Sequence, residues 1–421
     1  MSDTGGGHRR AAQAISEAIH ELYPHEFEIT IEDILRQYAG WPFSQAPKWY
    51  AWSINSRLPW WKLFWMLTSA GPVHKFITAC GTHWVKSSFL DYFRRINPDV
   101  VISVHPILNH SGLKILRQAQ FDCPFVTVVT DLTILHPAWI YPQVTHCFVS
   151  TDMARRQAIT WGMPAGKVSL YGQPVCPKFL TTSADKQTMR RMLGLEADRP
   201  TVLITGGGEG DSRMFDIARS LAGSVAQVQL LVVTGRNHSL NARLKTLACP
   251  GRLRVYGFVD NMLELMQAAD ILITKAGPGT ISEALVRGLP MILYGFIPGQ
   301  ETGNVAYIQA HQAGVYLEQP AAIAKLVLDW ITPQQGVLER MAQNAAKLSH
   351  PLAAYKIAEH IYGLVKAPEI EREQQFASIT TPHRPVCITT YSTPFAPDKS
   401  CSSDKTRWGR ERLHLPSQKQ N

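Results

Sequence analysis

Short, continuous runs of Val, Ile and Leu recur along this chain, separated by amphipathic stretches. In the first half they are Val100–Val104, Pro124–Val129 and Thr145–Val149. In the second half they are Thr201–Thr205, Gln229–Val233, Arg254–Tyr256, Ile271–Ile273 and Met291–Leu293. Apolar runs of this length without alternation predict strands covered on both faces. Helical periodicity predicts helices over Arg9–Leu22, Val85–Ile96, Leu113–Gln118 and Leu352–Val365. Strand and helix signals that alternate in this way describe an α/β protein with parallel sheets. The segment Tyr171–Pro177 carries two prolines and predicts an extended linker. It divides an N-terminal domain, residues 1–172, from a C-terminal domain, residues 173–366, that includes the final helix. From Ala367 to Asn421 the chain is rich in Ser, Thr, Pro and charge, without apolar periodicity, so a disordered tail is expected.

The stretch 274–304, TKAGPGTISEALVRGLPMILYGFIPGQETGN, holds the densest chemistry. An apolar strand runs into a Gly-Pro-Gly turn, and a helix is expected to open at Thr280 with Glu283 in its first turn. Gly277 and Gly279 let a ligand approach the backbone. The first amides of a helix have no intrahelical partner and sit at its positive end, so strand, turn and helix together suit a phosphate. Pro298–Glu301 adds amide and carboxylate groups suited to sugar hydroxyls. The pair reads as a nucleotide-sugar site.

The 421 residues are 45% hydrophobic and 18% charged, which describes a globular protein. A net charge of +9 favours anionic partners. No dense Lys/Arg block or nucleic-acid motif is present, so an anionic membrane surface is expected and nucleic acid is not. The seven cysteines are scattered with no Cys-x-x-Cys pair, which argues against a disulfide framework or a zinc site. Seven of the eleven tryptophans fall between Trp41 and Trp84, interleaved with Lys48, Arg57, Lys62 and Lys75. Such a stretch suits a monotopic membrane surface, with Trp49, Trp52, Trp60, Trp61 and Trp65 at the headgroups. The most apolar part, Leu63–Val73, is shorter than the roughly 20 residues of a spanning helix.

Six blocks together resemble the monogalactosyldiacylglycerol synthase and processive diacylglycerol glucosyltransferase group of glycosyltransferase family 28. They are Ser2–His8, Val129–Asp131 with His136–Trp139, Gly206–Gly210, Gly235–Asn237, Gly257-Phe258 and the 274–304 stretch. The resemblance implies a GT-B fold, two Rossmann-like domains facing a cleft. It implies transfer of galactose or glucose from a UDP-sugar to 1,2-diacylglycerol with inversion, at a membrane's cytoplasmic face, with no metal or other cofactor. Gly6, Gly7, Gly207, Gly208 and Arg236 would line the donor cleft, and Val255, Gly257 and Phe258 the uracil. Ala276, Gly277, Pro278, Gly279, Thr280 and Ile281 would hold the diphosphate, Glu283 the ribose, and Gln300 and Glu301 the sugar. His8 is the candidate base, Asp131 its rival or its orienting partner, and Trp139 would help engage lipid. The resemblance also implies an apolar strand ahead of Ser2–His8, so the N-terminal sheet is expected to lack a central strand or to begin upstream. Relatives often carry an arginine near Cys176, where Lys178 is the nearest replacement cation. Two alternatives stay open: an N-acetylglucosaminyltransferase acting on a polyprenyl-linked intermediate, and a UDP-sugar-binding membrane protein without catalysis.

Overall fold

The computed structural model describes residues 6–33, 37, 45, 60–69, 71–181, 184–223, 227–247, 252–332, 336–375 and 386–389. The first half supplies β1 (Ile29–Ile31), β2 (Val100–Ser103), β3 (Phe125–Val128), β4 (His146–Val149) and β5 (Val168–Leu170). The second supplies β6 (Thr201–Thr205), β7 (Gln229–Val233), β8 (Leu253–Tyr256), β9 (Ile271–Lys275), β10 (Met291–Gly295) and β11 (Gly314–Tyr316). A last strand, β12 (Val386–Thr389), lies in the expected tail. The strand orders are β1-β12-β2-β3-β4-β5 and β11-β10-β9-β6-β7-β8, and every pairing is parallel.

Covered on both faces, the strands have no polar side to present. Val100 and Ile102 of β2 pack toward Ile15 and Ile19 of the Gly7–Leu22 helix. Val101, between them, packs on the opposite face with Phe89 and Phe93 of the Gly71–Ile96 helix. Alternation is thus present in space but invisible in the sequence, because both faces are dry.

Two expectations need correction here. The final helix, Ala353–Gln375, does not pack on the C-terminal sheet. Its Ala354, Ile357, Ala358 and Ile361 are buried with Ile15, Val126 and Phe148 of the N-terminal half. The chain therefore crosses back, since the apolar flank of this helix matches the open face beside Gly7–Leu22. The tail is also not devoid of structure, because this helix continues to Gln375 and β12 pairs with both β1 and β2. The Val-Cys-Ile-Thr sequence of β12 suits a strand. It fills the place between β1 and β2 that β6 fills between β7 and β9. The N-terminal sheet thus has a central strand at the position where one was expected to be lacking.

Ile357 is fully buried at this helix junction. Ile357→Ala should lower unfolding free energy by about 2–5 kcal/mol, while exposed Lys356→Ala stays within about 0.5 kcal/mol. Urea unfolding of both variants checks this, and equal effects would place the helix elsewhere.

Candidate active site where the two halves meet

β9 ends at Lys275, and the following helix starts at Pro278, two residues before the expected Thr280, with Gly277 as its N-cap. Proline suits a first helical position because it has no amide to leave unpaired. Glu283 therefore lies beyond the first turn. Two expected phosphate-binding groups are engaged elsewhere. The Ile281 amide donates to the Gly277 carbonyl at 3.0 Å, and the Ala276 amide donates to Gly295 at 2.8 Å. Both side chains are fully buried, so Ala276 and Ile281 hold the turn in place and do not face a ligand. The amides of Gly279 and Thr280 remain at the positive end of the helix.

The turn after β6, Gly206–Gly210, touches the one after β7. Gly235 has φ 60°, and a Cβ there would sit 2.2 Å from the Gly208 carbonyl oxygen. Only glycine permits that approach. Together these turns wall a narrow, open cavity whose lining includes Gly207, Gly208, Thr280, Phe258 and Arg10. Phe258 is 54% exposed, and the Arg236 guanidinium lies 4.6 Å from its ring centre and 2.9 Å from Glu209. Gly257 precedes this ring, but Val255 packs its side chain against the C-terminal core and offers only backbone. Val259 and Met262 line the cavity beside Phe258 without having been anticipated.

Two carboxylates of the 274–304 stretch are buried. Glu283 has 6% exposure and meets Arg10 Nη1 at 3.3 Å. Burial raises its pKa, and Arg10 and Lys178 oppose the rise. Glu301 accepts the Ile297 amide at 2.7 Å, and burial raises its pKa too. Its neighbour Gln300 crosses to the other half, where its side chain bonds Asp131.

On that side Gly6 caps the Gly7–Leu22 helix with a left-handed φ of 81°. His8 follows in the first turn. Its Nδ1 lies 2.9 Å from the Val104 carbonyl and 2.7 Å from Thr130 Oγ1. A carbonyl only accepts, so Nδ1 carries the proton and Nε2 keeps its lone pair. Burial lowers the His8 pKa to about 4, with the Val104 carbonyl opposing, so the ring is neutral near pH 7. His105 packs 4.7 Å from it. Asp131, 5% exposed, accepts the Trp139 indole N–H at 2.7 Å. Burial raises its pKa to about 7, and the Trp139, His136 and Gln300 hydrogen bonds only partly offset this.

Trp139 is 1% exposed, so the expectation that it engages lipid is corrected: its ring desolvates Asp131 and sits 6.3 Å from His8. Trp65 is partly buried. Its ring occupies the space beside Gly299, where a Cβ would come within 2.8 Å, and packs edge-on against His136 at 4.8 Å. In the same helix, Trp60–Ser69, Thr68 Oγ1 accepts from His136 Nε2 at 3.1 Å and donates to the Phe64 carbonyl. Opposite this inward flank stand Leu63, Phe64, Met66 and Leu67, each 41–61% exposed. Trp60 and Trp61 lie in this helix, and Trp49 and Trp52 lie outside the described residues.

Residues 8–175 match the monogalactosyldiacylglycerol (MGDG) synthase family, and residues 201–360 match the glycosyltransferase family 28 C-terminal domain. Monogalactosyldiacylglycerol synthase 1, chloroplastic, of Arabidopsis thaliana is 39% identical over 87% of this chain and 70% of its own length. The chain belongs to the MGDG synthase family. The spinach synthase is 37% identical over 90% of this chain and 74% of its own length. Two solved structures share the fold at low identity. MurG of Acinetobacter baumannii has TM-score 0.52 and 15% identity over 86% of this chain and 97% of that one. The S. aureus MnaA–UDP structure has TM-score 0.53 and 12% identity over 69% and 82%. The fold is GT-B, as expected.

For an MGDG synthase family member, the residues that sequence reasoning missed are the ones that support others. Thr130 sits beside Asp131 yet serves His8. Asn304 joins the halves, accepting from buried Thr133 Oγ1 at 2.8 Å and donating to the Ala276 carbonyl at 2.8 Å. Nothing in the sequence marks such pairs, because their members lie up to 171 positions apart.

Asp131 has its pKa near neutrality and His8 does not, so the two candidates separate by pH. With Asp131 as base, kcat/KM should rise as pH increases through about 7, and Asp131→Asn should remove that limb and cut turnover about 10²-fold or more. A limb near pH 4 would assign the base to His8 instead. The raised pKa has a stability consequence of known sign. Protonation favours the fold, so the contribution of Asp131 is lost as pH rises from about 4 to about 7, and the stability of wild type relative to Asp131→Asn should fall across that range. Thermal melts across that range check it.

Proposed function

We propose that this protein transfers galactose from UDP-galactose to the free hydroxyl of 1,2-diacylglycerol, giving a β-galactosyl lipid. The observation that carries this reading is one arrangement: a glycine-walled cavity suited to an anion, and in the other half a buried carboxylate with a pKa of about 7 that Gln300 hydrogen-bonds. Asp131 takes the proton of the lipid hydroxyl as its oxygen attacks the anomeric carbon. The bond from that carbon to the diphosphate breaks, and UDP leaves with the electron pair. The Gly279 and Thr280 amides and the helix dipole meet the charge that develops on it. Neutral His8, fixed by Val104, holds Nε2 as a hydrogen-bond acceptor for a hydroxyl. These groups handle the leaving group's charge without a divalent cation.

The acceptor stays in the bilayer, so the protein must dock there. Among the described residues no helix is long and apolar enough to cross a membrane. Leu63, Phe64, Met66 and Leu67 form an apolar flank beside the loop that carries Gln300, and the net charge of +9 favours anionic lipids. We place this contact on the cytoplasmic face, the side where UDP-sugars are made, which also suits the scattered free cysteines.

Incubation with diacylglycerol vesicles and UDP-galactose should yield a β-glycolipid, faster than with UDP-glucose. Turnover in excess EDTA should stay within roughly twofold of the untreated rate. No glycolipid from either donor would overturn the proposal. Changing Leu63, Phe64, Met66 and Leu67 to Ser should weaken vesicle binding about tenfold or more. Co-sedimentation reads this, and unchanged binding would move the membrane contact to another surface.

A further inference from the structure

Lys178 of the linker does not line the donor cavity. Cys176 Sγ donates to Glu17 Oε2 at 2.6 Å, and burial with this carboxylate pushes its pKa up to about 12. Lys178 Nζ donates to the Asp260 carbonyl at 3.0 Å. Of the ten described residues that line the cavity, one carries a charge, and it comes from the opposite half of the molecule: Arg10. We infer that Arg10 is the donor-positioning residue that clamps the diphosphate against the Gly207–Gly208 and Thr280 wall. This rests on the UDP-sugar reading above and names a residue for it.

Three features support a ligand role over a purely structural ion pair. A structural pair is expected to bury both partners, but here only the carboxylate is buried, with side-chain exposures of 37% for Arg10 and 9% for Glu283. The contact is also incomplete. Nη1 alone reaches both Glu283 oxygens, at 3.3 and 3.4 Å, whereas a docked guanidinium forks two nitrogens onto a carboxylate at shorter range. Among the described residues the remaining guanidinium N–H groups meet no acceptor, which leaves them for a second, forked one such as a phosphate. Third, the site is placed for two jobs at once. Glu283, held by Arg10, has lone pairs left for a ribose diol, while Arg10 faces the glycine turns. One cation then bridges the ribose carboxylate and the diphosphate, and it ties the Gly7–Leu22 helix to the donor half whenever a donor is bound.

Titration calorimetry of the full chain with UDP and with uridine separates this from the alternatives. Arg10→Ala should weaken UDP about tenfold or more, the size of a lost charge-assisted contact, and leave uridine within about twofold. Arg10→Lys should recover part of the UDP loss, because it restores charge without the fork. Equal losses for UDP and uridine would show that Arg10 only holds Glu283, and unchanged UDP affinity would show that it touches neither; each overturns the inference. A wild-type protein that binds neither compound would overturn the donor-site reading itself, and this inference with it.

Discussion

The twelve described strands run parallel within their sheets, and the chemistry depends on that constraint. Parallel strands place their carboxyl ends on one side, so every loop that follows a strand opens toward the same edge. Val104 follows β2, and Thr130 and Asp131 follow β3. Gly206–Gly210, Gly235 and Gly257 follow β6, β7 and β8, and Gly277 and Phe296 follow β9 and β10. Groups scattered over some 200 residues converge because the hydrogen-bond ladders leave them nowhere else to go. Glycine is then needed where two such loops press together, as at Gly235.

Water exclusion at that edge sets the electrostatics. Asp131, Glu283 and Glu301 are each less than 8% exposed, and burial raises the pKa of all three. Their partners differ, and so do the consequences. Asp131 has only neutral donors and comes to rest near pH 7, within reach of a proton-transfer role. Glu283 has a guanidinium beside it, which favours its ionised form. The same desolvation that raises Asp131 lowers His8, so one buried pocket separates an acid and a base that the sequence presents as equals.

Much of the fold was legible because its strands are covered on both faces and so appear as unbroken apolar runs. The glycine turns and the helix start of the candidate site were legible because they are local features. The misses share a cause. Ala276 and Ile281 belong to the right motif, but their amides are used within the fold, which only the hydrogen-bond ladder reveals. Trp65 was assigned to lipid from aromatic density and Trp139 from the family resemblance, and neither distinguishes a ring facing solvent from one packed on a histidine or a carboxylate. The exposed flank of the Trp60–Ser69 helix is aliphatic and aromatic without tryptophan among its described members. The final helix and β12 belong to the N-terminal sheet although they follow the C-terminal one, a return that no local pattern encodes.

The sequence by itself determined the class of the fold, the family and the glycine turn before the Pro278–Val286 helix, since each is written in residues that neighbour one another along the chain. Tertiary structure alone decided which groups face one another across the halves. Arg10 meets Glu283 across 273 positions, Gln300 meets Asp131, and Trp139 strips water from that carboxylate. Such pairings depend on how two sheets are set together, and proton affinity depends on burial; neither is a property of any stretch of chain.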